Sequence, residues 1–521
     1  MHDPVKSILI VGGGTAGWMA AAFLSRTVGP ETTITLVESE TIGRIGVGEA
    51  SFNSLKSFFD YIGVSELEWM PACQATYKQA IRFQGWTADG GHFYHPFQRT
   101  GDVGGASLME WWLALRPDEQ FDYACFNESA VCDAQRAPRY LDGTVWDRSW
   151  TAPYAYHFDA ALLAGFLRAK ATAKGVAHRT GDVVGATLDA RGGIDAVQLA
   201  GGESLSADLY LDCTGFRALL IEQTLDEPWI SYADSLLCDR AFAIRWQRRP
   251  DDGINPYTTA TALTAGWAWD IPLFSRTSTG YVYSSAHLDE EQAAAELRKL
   301  NAGRVAEEDG RVVKFRVGRH RASWVRNCVA VGLSSGFVEP LESTGLFFIQ
   351  NALAVLAAHF PDRSFDEDVI RNYNTVVGRV LDAIRDFLIL HYCAGDRDDT
   401  PFWRDARADA RIGDELAERL SLWRKRLPSP SNVPAFTHGF YPYSYAVMLL
   451  GLKALPGGGA PILRGLDPSY ARQAFATNGQ RTRWLVGSLP SHEEYLEALY
   501  RRAGALAGEE DVPASAGAAV G

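Results

Sequence analysis

Several short stretches of this chain carry residues that could do chemistry. In Ala75 to Trp86, ATYKQAIRFQGW, side chains alternate as on a strand, with Tyr77, Gln79, Ile81 and Phe83 on one face and Lys78, Ala80 and Arg82 on the other. Lys78 stands among small and apolar neighbours. A lysine that loses its hydration in such a setting becomes reactive, whereas one on an outer face stays an ordinary solvated cation. Glu342-Ser343-Thr344-Gly345 precedes the helical stretch LFFIQNALAVLAAHF. Ser343 or Thr344 can cap that helix, and its free N–H groups suit a halide, a phosphate or a flavin carbonyl. Glu342 is out of place beside an anion site unless its carboxylate has a task; otherwise it is a favourable charge near a helix start. Trp267 and Trp269 in GWAWDIP share one strand face and form either a rigid partition or a buried aromatic pair. HFYHPF at His92 to Phe97 could wall a pocket, and His95 lacks a second ligand at metal spacing, so no metal site is expected there.

These residues need a scaffold, and its start is legible. Ile8 to Val11 is a short apolar run suited to a buried parallel strand. Gly12-Gly13-Gly14-Thr15-Ala16-Gly17 follows, and then an Ala/Leu-rich helical stretch. In this G-x-G-x-x-G spacing Gly12 permits a tight turn, Gly14 lets the backbone approach a pyrophosphate, and Gly17 lets helix and strand pack closely. A second strand, Thr33 to Val37, ends in Glu38, about twenty residues beyond Gly17, where an acid meets a ribose hydroxyl. The glycine-rich loop TIGRIGVGEASFN, with Arg44, could wrap a second segment of the ligand. Val183-Val184 and Ile194 to Leu199 read as strands of a small meander, and ADLYLDCTGF as a strand across whose end a nucleotide could lie. From Leu346 to about Leu420 the chain is largely helical, and the aromatic-dense segment Asn432 to Gly451 could close over a pocket.

A chain of 521 residues implies two or three subdomains. The expected division is a discontinuous core over 1–350 with inserted β elements near 75–115 and 235–300, a helical part over 351–505, and a disordered tail over 506–521. Hydrophobic content of 47% and charge of 22% fit a globular chain, and the net charge of −13 without a basic stripe excludes nucleic acid and anionic membrane as partners. No apolar run reaches the length of a membrane span, and the first strand starts at once, leaving no signal peptide. The seven cysteines lack C-x-x-C spacing and read as reduced thiols of a cytoplasmic protein.

Together GGGTAGW (Gly12–Trp18), RIGVGEA (Arg44–Ala50), Tyr77-Lys78 with IRF (Ile81–Phe83), FYHPF (Phe93–Phe97), PYAYHFDA (Pro153–Ala160), DCTGFR (Asp212–Arg217), WAWDIP (Trp267–Pro272) and FVEPLESTG (Phe337–Gly345) resemble the flavin-dependent tryptophan halogenases, over residues 5 to 505. The likeness is to members that modify C5 of the indole. The resemblance implies an α/β, flavin-monooxygenase-type (Rossmann-like) FAD-binding domain with a mostly helical substrate-binding part. It implies that FAD arrives reduced from a separate flavin reductase and that O2 and chloride or bromide yield hypohalous acid. It places the cofactor at Gly12, Gly14, Thr15, Ala16, Gly17, Glu38, Arg44, Ala50, Val183, Leu333 and Leu346, and the halide at the backbone of Thr344 and Gly345. Trp267 and Trp269 then keep the substrate from the flavin. Lys78 activates the hypohalous acid arriving by an internal tunnel, Glu342 stabilises or deprotonates the ring cation, and His95, Phe97, Tyr441 and Tyr445 line the substrate slot. A homodimer and a role in natural-product biosynthesis are further expectations. A direct aromatic hydroxylase of the same fold, or a halogenase of another indole, is the alternative.

Two departures from that family bear on the substrate. Trp146 is followed almost directly by Pro153, where free-tryptophan members carry a longer insert, and GFYPYSY has Tyr441-Pro442 where they place a carboxylate for the substrate ammonium. A buried unpaired ammonium is costly. A more open site accepting a tryptophan residue of a precursor peptide is therefore expected alongside free tryptophan.

Overall fold

The computed structural model describes residues 3–40, 48–140, 152–408, 411–434, 438–457 and 459–505. Arg44, the short connection at Trp146 and the tail over 506–521 lie outside the described residues.

A six-stranded sheet carries the glycine turn. Its order is Ala177–Thr180, Thr33–Glu38, Ser7–Val11, Leu209–Asp212, Cys328–Ala330 and Trp324–Val325. The first five run parallel, and the sixth closes the edge antiparallel. Ile8 to Val11 are all buried, which is why the run is apolar without alternation: both faces are covered. The helix Thr15–Thr27 covers one face and packs on the helices Ala160–Ala173 and Gly345–Ala358. The expected meander is present as Val183–Leu188, Ile194–Leu199 and Ser204–Leu205.

A second sheet of seven strands carries the aromatic wall, in the order Arg311–Lys314, Arg240–Gln247, Arg276–Tyr283, Gly266–Pro272, Tyr257–Leu263, Ala80–Gln84 and His92–Pro96. All neighbours are antiparallel except Tyr257–Leu263 with Ala80–Gln84. Here the expectation of one strand from Ala75 to Trp86 is corrected. The strand breaks at Gln79, and Thr76–Lys78 belongs to a third sheet with Ala155–Asp159 and Gly48–Ala50. Gln79 is the hand-over: its N–H donates to Pro256 O at 2.7 Å, its carbonyl accepts from Phe97 N, and its side-chain amide donates to Arg136 O. Tyr77, Lys78, Gln79 and Ala80 are all buried, so neither face meets solvent.

The C-terminal part is helical. Its longest helix, Glu367–Cys393, starts at Asp366, whose carboxylate accepts from the N–H groups of Asp368 and Val369. Its last turns bury Phe387 and His391. The helix Pro442–Gly451 begins within the aromatic segment, with proline in its first turn, where a missing N–H costs nothing. Among the described residues no helix is long and apolar enough to cross a membrane.

Candidate active site

The glycine turn forms a cradle. Gly12 has φ +114°, and a Cβ there would fall 2.2 Å from Cys213 O; a Cβ on Gly17 would fall 1.8 Å from Gly12 O. Both must be glycine for strand, turn and helix to close together. Gly14 faces open space, the helix it precedes has no side-chain cap, and its first turn holds no acid. Bare N–H groups beside open space suit a pyrophosphate. Glu38 ends its strand with its carboxylate over Gly13 and accepts from His178 Nε2 at 2.9 Å, a partner the sequence did not reveal. Val183 packs with Val11 and Val37 beneath this corner. Gly332 has φ +76°, and a Cβ there would meet Ala16 at 2.8 Å and Ile349 at 3.5 Å. The short turn Gly332–Ser334, with Leu333, therefore joins the cradle to the helix Gly345–Ala358.

That helix begins as the cradle does. Thr344 is its N-cap residue and makes no side-chain cap, its buried hydroxyl has no partner among the described residues, and the first turn has no acid. Gly345 faces open space and Leu346 is buried. An anion or a flavin carbonyl fits here. The glycine turn and the Thr344 terminus are thus two bare helix starts joined through Gly332, and their N–H groups have the chemistry a dinucleotide such as FAD needs.

On the other side of the same turn sits Lys78. Its Nζ donates to Ser343 Oγ at 2.9 Å and to Ser51 O at 3.3 Å, and lies 5.4 Å from the centre of the Phe97 ring. The side chain is fully buried, so the solvated reading fails. Burial pulls its pKa down to about 7, against the opposing pull of the Glu342 charge. Tyr77 points the opposite way, as neighbours on a strand must, and donates to Glu66 at 3.1 Å. Glu66 also accepts from Tyr154, Tyr156 and Arg139, which makes a buried anchor for the short strand that holds Lys78. Across the third sheet His157 lies between Thr76 and Thr258 at 3.1 and 2.9 Å. Burial, then the Lys78 charge, holds its pKa well below the usual histidine range, so His157 adds no second cation.

Glu342 ends the turn Pro340–Glu342 and is buried. Its Oε1 lies 3.0 Å from His95 Nδ1 and 2.9 Å from His391 Nε2. Burial pushes its pKa up, but the charges and hydrogen bonds of the two histidines outweigh that and hold it at about 2. His391 was invisible to spacing, because it lies within a long helix 49 residues beyond Glu342.

Around this pair stand the rings of a slot. Phe97 meets Phe52 edge-on at 6.2 Å, and His95 faces Phe440 and Tyr443 at 6.4 Å each. Tyr443 donates to Phe97 O at 3.1 Å and stacks on Tyr441. The Arg99 guanidinium lies 3.8 Å from the centre of the Tyr441 ring. The Tyr445 ring is buried against Phe387 and Trp423, and its hydroxyl meets His438 Nε2 at 3.0 Å. Phe440 and Tyr443, on the same segment, are the rings that meet His95.

Trp267 and Trp269 share a face as their spacing requires, with ring centres 6.3 Å apart, both buried. Neither indole N–H reaches a partner among the described residues, although Trp267 approaches the buried carboxyl of Glu339. Among the described residues no group of histidine, cysteine and carboxylate side chains could hold a metal ion.

Comparison with known proteins places this geometry. The family model described as tryptophan halogenase matches residues 7–468. The chain is 44% identical to tryptophan 6-halogenase SttH of Streptomyces toxytricini, over 96% of this chain and 99% of that one. The crystal structure of SttH superposes with a TM-score of 0.91 over 95% of this chain and all of that one. The 7-chloro-L-tryptophan 6-halogenase KtzR of Kutzneria sp. (strain 744) is also 44% identical, over 94% of this chain and 99% of that one. MibH, a lanthipeptide tryptophan 5-halogenase, is 32% identical with a TM-score of 0.83, over 97% of this chain and 96% of that one. The expected likeness to C5 members is thereby corrected: the 6-halogenases are the more similar. With its glycine cradle, buried lysine and paired indoles in one α/β fold, the chain belongs to the flavin-dependent tryptophan halogenases.

Proposed function

We propose that the chain halogenates C6 of the indole of free L-tryptophan, using reduced FAD supplied by a separate reductase, O2 and chloride or bromide. One observation carries the division of roles: Glu342, Ser343, Thr344 and Gly345 are consecutive, yet the first two face Lys78 and the last two open a bare helix terminus beside the glycine cradle. FAD, held by the glycine turn and by Ala50, Leu333 and Leu346, supplies the oxidation of halide by O2. The N–H groups at Thr344 and Gly345 hold the halide. Trp267 and Trp269 stand as the partition that keeps the organic substrate from the cofactor. Lys78 presents the electrophilic halogen from its N–H or N–halogen group, and its apolar surroundings keep water from competing. The ring carbon takes the halogen, its C–H bond breaks, the electron pair returns to the ring, and Glu342 accepts the proton.

Both 44% relatives are named as 6-halogenases, which supports C6. The free amino acid is supported at the rim. Arg99 stacks on Tyr441 and makes no ion pair among the described residues. It borders a cavity of about 570 Å³ that Asn127, Asn478 and Arg481 also line. That surface suits a carboxylate. Tyr441 is only half-buried, so the substrate ammonium keeps its water there and needs no acid.

The test is product analysis with reduced FAD, O2 and halide on tryptophan, tryptamine and a capped tryptophan peptide. The expected result is 6-halotryptophan, with tryptamine a poorer substrate, and an Arg99→Ala variant that raises KM for tryptophan about tenfold, as the loss of a charge-assisted contact does. Tryptamine should be indifferent to that change. Peptide turnover above that of tryptophan, or halogen at another carbon, overturns the corresponding part.

A further inference from the structure

We propose that His391 is a positioning residue that keeps Glu342 ionised by supplying the one proton the two groups share. This rests on the reading of Glu342 as the group that receives the ring proton.

His391 Nδ1 lies 2.7 Å from Phe387 O, and a carbonyl oxygen only accepts, so Nδ1 carries hydrogen. His391 Nε2 lies 2.9 Å from Glu342 Oε1. A neutral imidazole already protonated at Nδ1 has only a lone pair at Nε2. A carboxylate oxygen also has only lone pairs, and two acceptors 2.9 Å apart in a dry site repel. One more hydrogen must therefore lie between them. His95 carries no such requirement. Its Nδ1 is 3.0 Å from the same oxygen and can donate as a neutral ring, and among the described residues no carbonyl claims its other nitrogen. Both contacts go to Oε1; among the described residues no hydrogen bond goes to Oε2, the oxygen that would take the proton.

The surroundings put the shared proton on the imidazole. His391 and Glu342 are both buried. The charged or titratable groups facing the carboxylate are His95 from the aromatic wall, Lys78 from the third sheet and Tyr443 from the rim. On its own helix the neighbouring Tyr392 turns to Glu339 instead. The other neighbours of the His391 ring are Phe83, Trp86 and Phe387. An imidazolium walled by rings and facing one carboxylate offsets the Glu342 charge. Glu342 then stays anionic without drawing the Lys78 proton into a tight ion pair, so the amine remains near neutrality and can exchange hydrogen for halogen.

The experiment uses the full chain with bound FAD. Histidine labelled with nitrogen-15, with the His391 signal assigned by correlation to its own backbone amide in the native chain, should show both ring nitrogens protonated from pH 6 to pH 8. In His391→Gln the glutamine keeps a donor toward Glu342 but carries no charge. His391→Gln should therefore introduce an acid limb in kcat for tryptophan, shifted upward by about 1–2 pH units from the native profile. Its KM should stay within about threefold, since the substrate contacts are unchanged. His391→Asn, in which the amide tracks Nδ1 and leaves Glu342 unbonded, should shift the limb further. A singly protonated His391 in the native protein overturns the proposal even if no variant folds. A pH profile of His391→Gln that overlays the native one overturns it as well.

Discussion

Lys78 Nζ donates to Ser343 Oγ across 2.9 Å, and Ser343 presents that oxygen from a backbone held at φ +59°. A side-chain-bearing residue in the left-handed region costs about 1 kcal/mol. The hydroxyl is the nearer of two oxygens, the other being Ser51 O, that accept from the buried Lys78 amine and stabilise its charged form. Ser343→Gly relieves the backbone and removes the acceptor, whereas Ser343→Ala keeps the strain and removes the acceptor. Both should lower kcat/KM for tryptophan about 10- to 100-fold, the effect of losing a hydrogen bond to a charged group. Only the glycine variant should match or exceed the native melting temperature. If the two variants melt alike, the strain assignment fails.

Replacing Lys78 separates stability from chemistry. Its amine is fully buried, and burial brings its pKa down to about 7. Lys78→Met keeps the length and removes the desolvated group, so the melting temperature should hold or rise. Halogenated tryptophan should disappear, while hypohalous acid released from the protein and trapped by a soluble scavenger should persist. Loss of both products together would place Lys78 at the halide-oxidising side and break the division of roles.

The glycine turn, the parallel strand and the acid at Glu38 were legible because their constraints are local: a tight turn, a covered strand and a fixed distance along the chain. The indole pair was legible for the same reason, since alternate residues on a strand share a face. The strand break at Gln79 was not, because it depends on Pro256 and Phe97, both distant in sequence. Lys78 therefore looked like one of many alternating lysines until its motif resembled a family. An aromatic-dense segment does not say where its helix starts; the start at Pro442 buries Tyr445 against Phe387 and Trp423. His391 and the Glu66 anchor are long-range partners of buried carboxylates, and no spacing rule reaches them.

The indole pair rests on a glycine. A Cβ at Gly280 would fall 2.1 Å from the Trp269 ring, which lies flat against the neighbouring strand. Trp267 stands 6.3 Å away on the same face, so a displaced ring moves toward another buried indole. Gly280→Ala should therefore destabilise by about 1–3 kcal/mol, the range for an overpacked core. The expected readout is a lower melting temperature and a shifted tryptophan emission. An alanine variant as stable as the native chain, with unchanged emission, would show that the ring moves freely.

Buried carboxyls elsewhere give the protein a pH dependence opposite in sign to that of Glu342. Burial raises the pKa of Glu339, Asp122 and Glu128 to about 7, from ordinary values near 4. A carboxyl whose folded pKa is raised contributes stability that is complete below its unfolded pKa and is lost as pH rises through the folded one. Glu342, held at about 2, contributes stability above its unfolded pKa and loses it only as pH falls toward 2. Between pH 5 and pH 7 the three raised carboxyls outweigh His157 and His492, the histidines whose folded pKa is lowered, so the melting temperature should fall as pH rises across that window. Glu339 accepts from Tyr392 through Oε1, and a glutamine carbonyl can take the same bond. Glu339→Gln should flatten the slope by one group, at most about 1.4 kcal/mol per pH unit, and raise stability most at pH 8. A slope identical to the native one would show that Glu339 is ionised throughout, despite its burial beside Trp267.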